Sequence, residues 1–208
     1  MKVLLFGASG HARVVADVAE SLGWKIAAVV DDDPTRAGTS FGEVPVVGGS
    51  SRLADLRGDV ARALVGIGAA QKRLEKARLL LSLGYELPVA VHPRATVSPR
   101  AVLEPGVVVM AGAVVNPGAR IGFCAIVNTS ASVDHDCRIG DGAQIAPGAH
   151  LAGNVSVGSE AFVGIGSSVI EGLTIGARAI VGAGAVVIRD VPDDVVVVGV
   201  PARVVVRS

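Results

Sequence analysis

The sequence predicts an α/β N-terminal domain of the Rossmann-like kind, followed by a parallel β-helix built from hexapeptide repeats. Two observations predict it. From Val91 to Val187 every sixth residue is Val, Ile or Leu, seventeen positions in a row with no miss and no insertion. The first ninety residues instead alternate apolar runs with amphipathic stretches, separated by glycine turns. A period of six belongs neither to an α-helix nor to the alternating strands of a sandwich, but it is the repeat of a hexapeptide solenoid.

The N-terminal elements follow in order. Lys2–Phe6 reads as an apolar strand, and Gly7-Ala8-Ser9-Gly10-His11-Ala12 as a tight turn. Ala12–Leu22 has helical spacing (Val14, Val15, Val18, Leu22) and stops at Gly23. Lys25–Val30 is a second strand, closed by Asp31-Asp32-Asp33-Pro34. Ala63–Ile67 is another apolar run ending at Gly68, Gln71–Leu83 a basic and apolar helix stopped by Gly84, and Leu87–Val91 a last strand. Strands alternating with helices imply a small parallel sheet. The boundary falls near Pro88–Pro93, giving domains of residues 1–90 and 91–208.

In the second domain a small residue precedes most of the aliphatic positions by two, as at Ala113, Ala119, Ala125, Ala131, Cys137 and Ala143. Glycine often follows the aliphatic residue, as at Gly122, Gly140, Gly158, Gly164, Gly176 and Gly182. The aliphatic side chains point inward once per hexapeptide, small residues fill the tight bends, and glycine supplies the positive φ of sharp turns. Three hexapeptides close a triangular coil, so Val97 to Asp190 makes roughly five coils stacked about 4.8 Å apart. The Val-rich tail Val195–Val206 is expected to cover one open end, and the first domain the other.

Composition narrows the function. Lys+Arg and Asp+Glu are both 19, so the net charge is zero, and aromatics are 3%. A binder of the nucleic-acid backbone needs surplus cations and stacking platforms. Mean hydropathy is +0.57, yet no run of about 18 residues is free of charges and glycine breaks, so no membrane span is expected. MKVLLFG reads as a strand, not a signal peptide. Cys124 and Cys137 form neither a disulfide framework nor a metal knuckle. A soluble cytoplasmic protein is expected.

The glycine turn between the first strand and helix is a phosphate site by default, because backbone N–H groups and the helix dipole favour an anion there. Asp31 or Asp32, ending the second strand, stands where a ribose or base edge is commonly met. The turn is not G-x-G-x-x-G, since Ser9 replaces the second glycine, and the domain is too short for NAD. His11 is placed either to donate to a bound anion or to lie in solvent.

Of the four histidines, His11, His92, His135 and His150, the third stands out. It lies two residues past inward Val133, near a corner, between Asp134 and Asp136. Either carboxylate can bond its ring, fix the tautomer and raise its basicity. One coil later stands Gly153, which leaves an open notch and a bare N–H above a general base. A thioester carbonyl fits such a notch, and the N–H would stabilise its oxyanion. A corner histidine bonded only to its own loop is the plain alternative.

Nearly the whole chain resembles the sialic acid O-acetyltransferase-like family of hexapeptide acyltransferases, the NeuD/PglD type. Its better-known branch acetylates the 4-amino group of UDP-linked bacterial sugars. The resemblance is carried by GASGHARVVADVAE, VVDDDP, V-G-I-G at 65–68, N-T-S-x-S-V-x-H-[ED]-C at 128–137, A-G-N-V at 152–155 and G-V-P-A-R at 199–203. It implies a left-handed β-helix and a homotrimer that shares each acetyl-CoA groove between two subunits. By the same resemblance His135 is the general base and Asp136 its acidic partner, with Asp134 as substitute. Gly153, Gln144 and Ala183 fall on the acetyl-CoA side, Gln144 standing where some relatives have histidine. Asn128 falls near the acceptor sugar, and Gly10, His11, Asp31, Asp32 and Gly68 in the nucleotide-sugar cradle. Acetyl-CoA is the co-substrate and no metal is implied.

Rival readings share the solenoid. Transfer to a hydroxyl, as on sialic acid, or to serine would keep the same base. A γ-carbonic-anhydrase-like hydratase needs histidines converging on zinc, but His135 and His150 are 15 residues apart, off the coil period, and His92 is also out of phase. A scaffold would use no base at all.

Overall fold

The computed structural model describes residues 1–205, so Val206 of the expected tail lies outside the described residues. The chain divides into two compact units, the first ending at Pro93 and the second beginning at Arg94.

The first unit is built on β1 (Lys2–Phe6), α1 (Gly10–Ser21), β2 (Lys25–Val30), β3 (Ser40–Phe41), β4 (Val44–Pro45), α2 (Leu53–Leu56), β5 (Ala63–Val65) and α3 (Ala70–Ser82). β1 is central in a three-stranded parallel sheet of order β2-β1-β5. Its Val3, Leu4, Leu5 and Phe6 are almost wholly buried, as a continuous apolar run in a parallel sheet should be. β3 and β4 form a small antiparallel hairpin.

Three details depart from the expected elements. α1 buries Ala12, Val15, Ala16, Val18 and Ala19, whereas Val14 is 40% exposed on its outer side. The small residues face the sheet because α1 lies close to it: a Cβ on Gly66 would stand 2.7 Å from the Cα of Ala12. β5 ends at Val65, short of Ile67. The last strand of the unit is only Ala90–Val91, although Leu87 is buried.

The second unit is a left-handed parallel β-helix. Two-residue strands stack on three faces. The first face runs from Thr96–Val97 through Ser132–Val133 and His150–Leu151 to Val186–Val187, six strands in all. The second carries five, from Val102–Leu103 through Arg120–Ile121 and Arg138–Ile139 to Thr174–Ile175. The third runs from Val108–Val109 through Ile126–Val127, Gln144–Ile145, Phe162–Val163 and Ile180–Val181 to Val196–Val198, where antiparallel Arg203–Val204 joins it. All pairs step by eighteen residues until that end, as in Arg120↔Arg138 and Ser132↔His150. In each strand the second residue points inward: Val133, Ile121, Ile145 and Val163 are all fully buried. Each contributes about 1.5–3 kcal/mol of apolar burial.

The corners correct one reading of the glycines. Positive φ recurs at every sixth residue from Gly106 to Gly184, and Cys124, Ser130, Asp136, Asn154, Glu160 and Arg178 share that conformation with glycines. Gly122, Gly140, Gly158, Gly164, Gly176 and Gly182, which follow the inward aliphatic residues, are not among them. They are required by crowding: a Cβ on Gly122 would lie 2.8 Å from the Ile139 carbonyl oxygen, and one on Gly140 2.5 Å from the Ser159 nitrogen. No helix of the described residues is long and apolar enough to cross a membrane.

Candidate active site

Between the first and second faces the chain turns through Asp134-His135-Asp136-Cys137. The backbone of this corner is pinned on both sides. Asp136 N–H donates to the Pro117 carbonyl at 3.1 Å in the coil before, and the His135 carbonyl accepts from Asn154 N–H at 2.9 Å in the coil after. Cys137 turns inward, fully buried, its Sγ 3.2 Å from the Ala152 carbonyl, and burial pushes its thiol up. It is a packed thiol, not a nucleophile.

The two carboxylates divide their work. Asp134 Oδ1 accepts from the His135 backbone N–H at 2.7 Å and from Asn116 Nδ2 at 2.8 Å. Those bonds hold its carboxyl below the usual range. Asp136 Oδ2 lies 3.0 Å from His135 Nδ1, so the orienting contact goes to Asp136. An ionised carboxylate only accepts, so Nδ1 carries the hydrogen and Nε2 of the neutral ring keeps its lone pair. Asp136 reaches the ring from a left-handed backbone, φ 58, a conformation Asp tolerates better than most residues. Gly118 in the coil before makes room for it, since a Cβ there would overlap the Asp136 carboxylate.

The His135 side chain is 54% exposed. Its pKa is raised above 6.5, first by the hydrogen bond to Asp136 and then by the charges of Asp134, Asp136 and Glu171. Glu171 stands one coil beyond Gly153 at the same corner, and sequence reading missed it. The imidazole lies over Gly153, and a Cβ on that glycine would collide with Nε2 and Cε1. Among the described residues the Gly153 N–H donates to no acceptor. One edge thus brings together a hydrogen-bonded imidazole, its carboxylate and a bare amide.

The other solenoid residues lie elsewhere on the unit. Asn128 is buried at the corner between the third and first faces, its Oδ1 accepting from Thr129 N–H at 2.8 Å. Ala183 is exposed on that same edge, and Gln144 is half-buried on the third face between Ile126 and Phe162. Within one chain none of these shares the His135 edge. His150 projects from the first face and bonds Ser132 Oγ at 2.8 Å. His92 is buried. Among the described residues no group of three or more His, Cys, Asp or Glu is placed to hold a metal ion.

In the first unit a cleft of about 630 Å³ opens at the ends of β1 and β2, beside α3. Of the expected cradle residues it is lined by Asp31 and Asp32, with Phe6, Ser9, Arg36, Lys72 and Lys76 added. Asp31 Oδ2 accepts from Ala8 N–H at 2.7 Å, and Arg36 donates to the Ala8 carbonyl at 2.6 Å, so this pair shapes the glycine turn. Asp32 binds Ser50 and, at 2.8 Å, Lys76 Nζ. Burial works to raise the Asp32 carboxyl, but the bonds from Lys76 and Ser50 outweigh it and hold it low. Lys72 lines the cleft with no ion partner among the described residues. It and Lys76 are four apart on one helix face, the spacing that could have flagged them.

Gly10, His11 and Gly68 do not line this cleft. The Gly68 carbonyl accepts instead from buried Arg73, at 2.5 Å. His11 is not a solvent-exposed turn residue: its Nε2 is buried without a partner. Burial, with the Arg73 charge beside it, lowers its pKa to about 4. At neutral pH it is an uncharged imidazole and not a cation for an anion.

Known proteins share this architecture. The PglD N-terminal domain family matches residues 2–80. Perosamine N-acetyltransferase from Caulobacter crescentus, solved with CoA and GDP-perosamine, is 47% identical, with a TM-score of 0.95 over 100% of this chain and 98% of that one. The acetyltransferase domain of PglB from Neisseria gonorrhoeae, solved with acetyl coenzyme A, is 40% identical, with a TM-score of 0.91 over 98% of each chain. WeeI from Acinetobacter baumannii is 26% identical, with a TM-score of 0.89 over 99% of this chain and 100% of that one. No curated protein sequence matches the chain significantly.

Proposed function

Because the chain belongs to the PglD-type hexapeptide acyltransferases, we propose that it transfers the acetyl group of acetyl-CoA to the amine of a nucleotide-linked 4-amino sugar. The observation that carries this reading is the His135 edge: an imidazole bonded through Nδ1 to Asp136, with its ring over a residue that has no side chain. The identity to perosamine N-acetyltransferase over the whole chain supports the donor and the class of acceptor.

The chemistry follows from these parts. Nε2 of neutral His135 takes the proton as the acceptor amine attacks the thioester carbonyl. The C–N bond forms, and the carbonyl oxygen becomes an oxyanion that the Gly153 N–H is free to meet. Collapse breaks the C–S bond, and the proton held on His135 passes to the departing CoA thiolate. Asp136 stabilises the imidazolium in between. No covalent acyl-enzyme is needed.

Asn128, Gln144 and Ala183 enter this reading through a second copy. A homotrimer that sets the third-face edge of one chain against the His135 edge of the next would bring both sets to one groove. A closed threefold ring is a common assembly. Light scattering checks it, and a monomer of full activity would overturn it. The same reading places the reaction in the cytoplasm, where acetyl-CoA and nucleotide sugars are both at hand.

The test is a panel of UDP- and GDP-linked amino sugars, free amino sugars and free sialic acid with acetyl-CoA, read by thiol release and product mass. The resemblance favours UDP, and the Caulobacter relative binds GDP-perosamine, so both bases belong in it. Acetylation of a nucleotide-linked amine supports the proposal. Reaction of sialic acid alone, with every nucleotide-linked amine inert, overturns it.

A further inference from the structure

The edge that carries His135 continues beyond Gly153. The same corner recurs one coil later at Glu171 and again at Arg189, so one row reads His135, Gly153, Glu171, Arg189. Backbone bonds keep the row in step: Asn154 N–H donates to the His135 carbonyl at 2.9 Å, and Gly172 N–H to the Gly153 carbonyl at 3.0 Å. Glu171 is exposed, and among the described residues its carboxylate has no hydrogen bond and no ion pair, not even with Arg189. Its charge nevertheless reaches His135, because Gly153 between them has no side chain. A Cβ on the adjacent Gly172 would meet nothing within 4 Å, so the space beside this carboxylate is open. The neighbouring row is apolar. Ile170 and Ile188, one coil apart, are 44% and 39% exposed.

That surface fits one part of the acyl donor. In the proposed reaction the thioester carbonyl meets the Gly153 N–H, and the coil before it is filled by the imidazole and its Asp136 partner. The open way for the rest of the donor is toward the later coils, over Glu171 and the two isoleucines. In acetyl-CoA the carbonyl carbon and the first amide nitrogen of the arm are four bonds apart, about 5 Å when extended, and coils are about 4.8 Å apart. An acyl carbon level with Gly153 thus puts that amide level with Glu171. An amide N–H taken out of water needs an acceptor, and an ionised carboxylate is a strong one. The methylenes on either side of the amide are apolar, as Ile170 and Ile188 are.

We propose that the amide N–H nearest the sulfur of acetyl-CoA donates to the Glu171 carboxylate, and that this contact sets the depth at which the thioester stands against His135. This rests on the acetyl-transfer reading above. It adds a donor-binding residue two coils from the base.

The experiment uses the full chain with Glu171→Ala and Glu171→Gln, a nucleotide-linked 4-amino sugar, and three acetyl donors. Acetyl-CoA and S-acetyl-N-acetylcysteamine carry the amide, and ethyl thioacetate does not. For the first two, kcat/KM should fall about tenfold in Glu171→Ala, the usual scale for a hydrogen bond to a charged group. For ethyl thioacetate it should not change. Glu171→Gln, whose side-chain carbonyl still accepts, should recover part of the loss, and the melting temperature and the acceptor KM should stay as in the wild type. An equal loss with all three donors overturns the assignment, because Glu171 would then act only through the charge it sets near His135. No loss with any donor overturns it as well. If the wild-type chain acetylates no nucleotide-linked amine, the underlying reading has failed instead. Calorimetric binding of CoA then decides the contact: about tenfold weaker binding in Glu171→Ala keeps it, and equal binding, or none to the wild type, discards it.

Discussion

Gly153 has no Cβ, and the imidazole of His135 occupies the space that one would fill. The glycine is not at positive φ, so alanine there costs little in backbone conformation. The collision would be with the end of an exposed side chain that can swing away. Gly153→Ala should therefore fold with near wild-type stability and lose about 100-fold in kcat, the scale of a misplaced catalytic group. In a double-mutant cycle with His135→Ala the second change should add almost nothing. Additive losses would show that Gly153 acts independently of the ring.

The Asp136 contact raises the His135 pKa, and this fixes the sign of the pH dependence. The base works only when neutral, so kcat/KM should fall as pH drops through a value above 6.5. Asp136→Asn keeps a residue that accepts the left-handed corner but removes the charge. Its acid limb should move down toward the ordinary histidine range, and its plateau rate should fall because the imidazolium loses its partner. His135→Ala should lose about 10²–10⁴ in rate at all pH values. A pH–rate profile of the three proteins checks this, and an unmoved limb in Asp136→Asn would assign the shift to Asp134 and Glu171.

The parts of this molecule that sequence made legible share one property: each is set by a residue type recurring at a fixed offset. The inward Val, Ile and Leu column is such a case, since one large side chain per six residues must fill the coil. His135 and Gly153 are another, because a fixed coil length turns sequence distance into position. What stayed hidden depends on approach between segments far apart in the chain. Gly66 is needed because Ala12 of α1 comes close, and Val14 faces outward for the same reason. The ladder of positive φ was obscured because Cys124, Ser130 and Asp136 stand in it beside glycines. His11 sits in a phosphate-type turn, yet its burial beside Arg73 is tertiary and leaves no local mark.

That burial of His11 has a consequence for acid stability. Its folded pKa is lowered to about 4 from 6.5. Below pH 6.5 the unfolded chain takes up a proton that the folded chain refuses until about pH 4. The stability is complete above the unfolded value and is lost as pH falls through the folded one, by an amount on the order of 2–3 kcal/mol. His11→Gln, which has no titrating group, should lack this part of the slope. Urea unfolding of wild type and variant between pH 4 and pH 7 measures the difference, and parallel curves would mean that His11 protonates freely in the folded chain.

Asn116 acts on the base at one remove. Its Nδ2 donates to Asp134 Oδ1 at 2.8 Å, and the same oxygen accepts the His135 backbone N–H at 2.7 Å. The asparagine stands one coil before the corner, so it ties the His135 segment to a neighbouring strand end. Asn116→Ala should destabilise the fold by about 1 kcal/mol, the net value of one such bond. It should lower kcat several-fold with little change in either KM, because substrate contacts are untouched while the ring loses its fixed mount. Asn116→Asp separates positioning from packing. It keeps the size but sets a second negative charge against Asp134, close to His135. Besides a lower kcat, its acid limb should move to higher pH, since added negative charge favours the imidazolium. A simple packing defect would lower stability in both variants and leave the limb where the wild type has it.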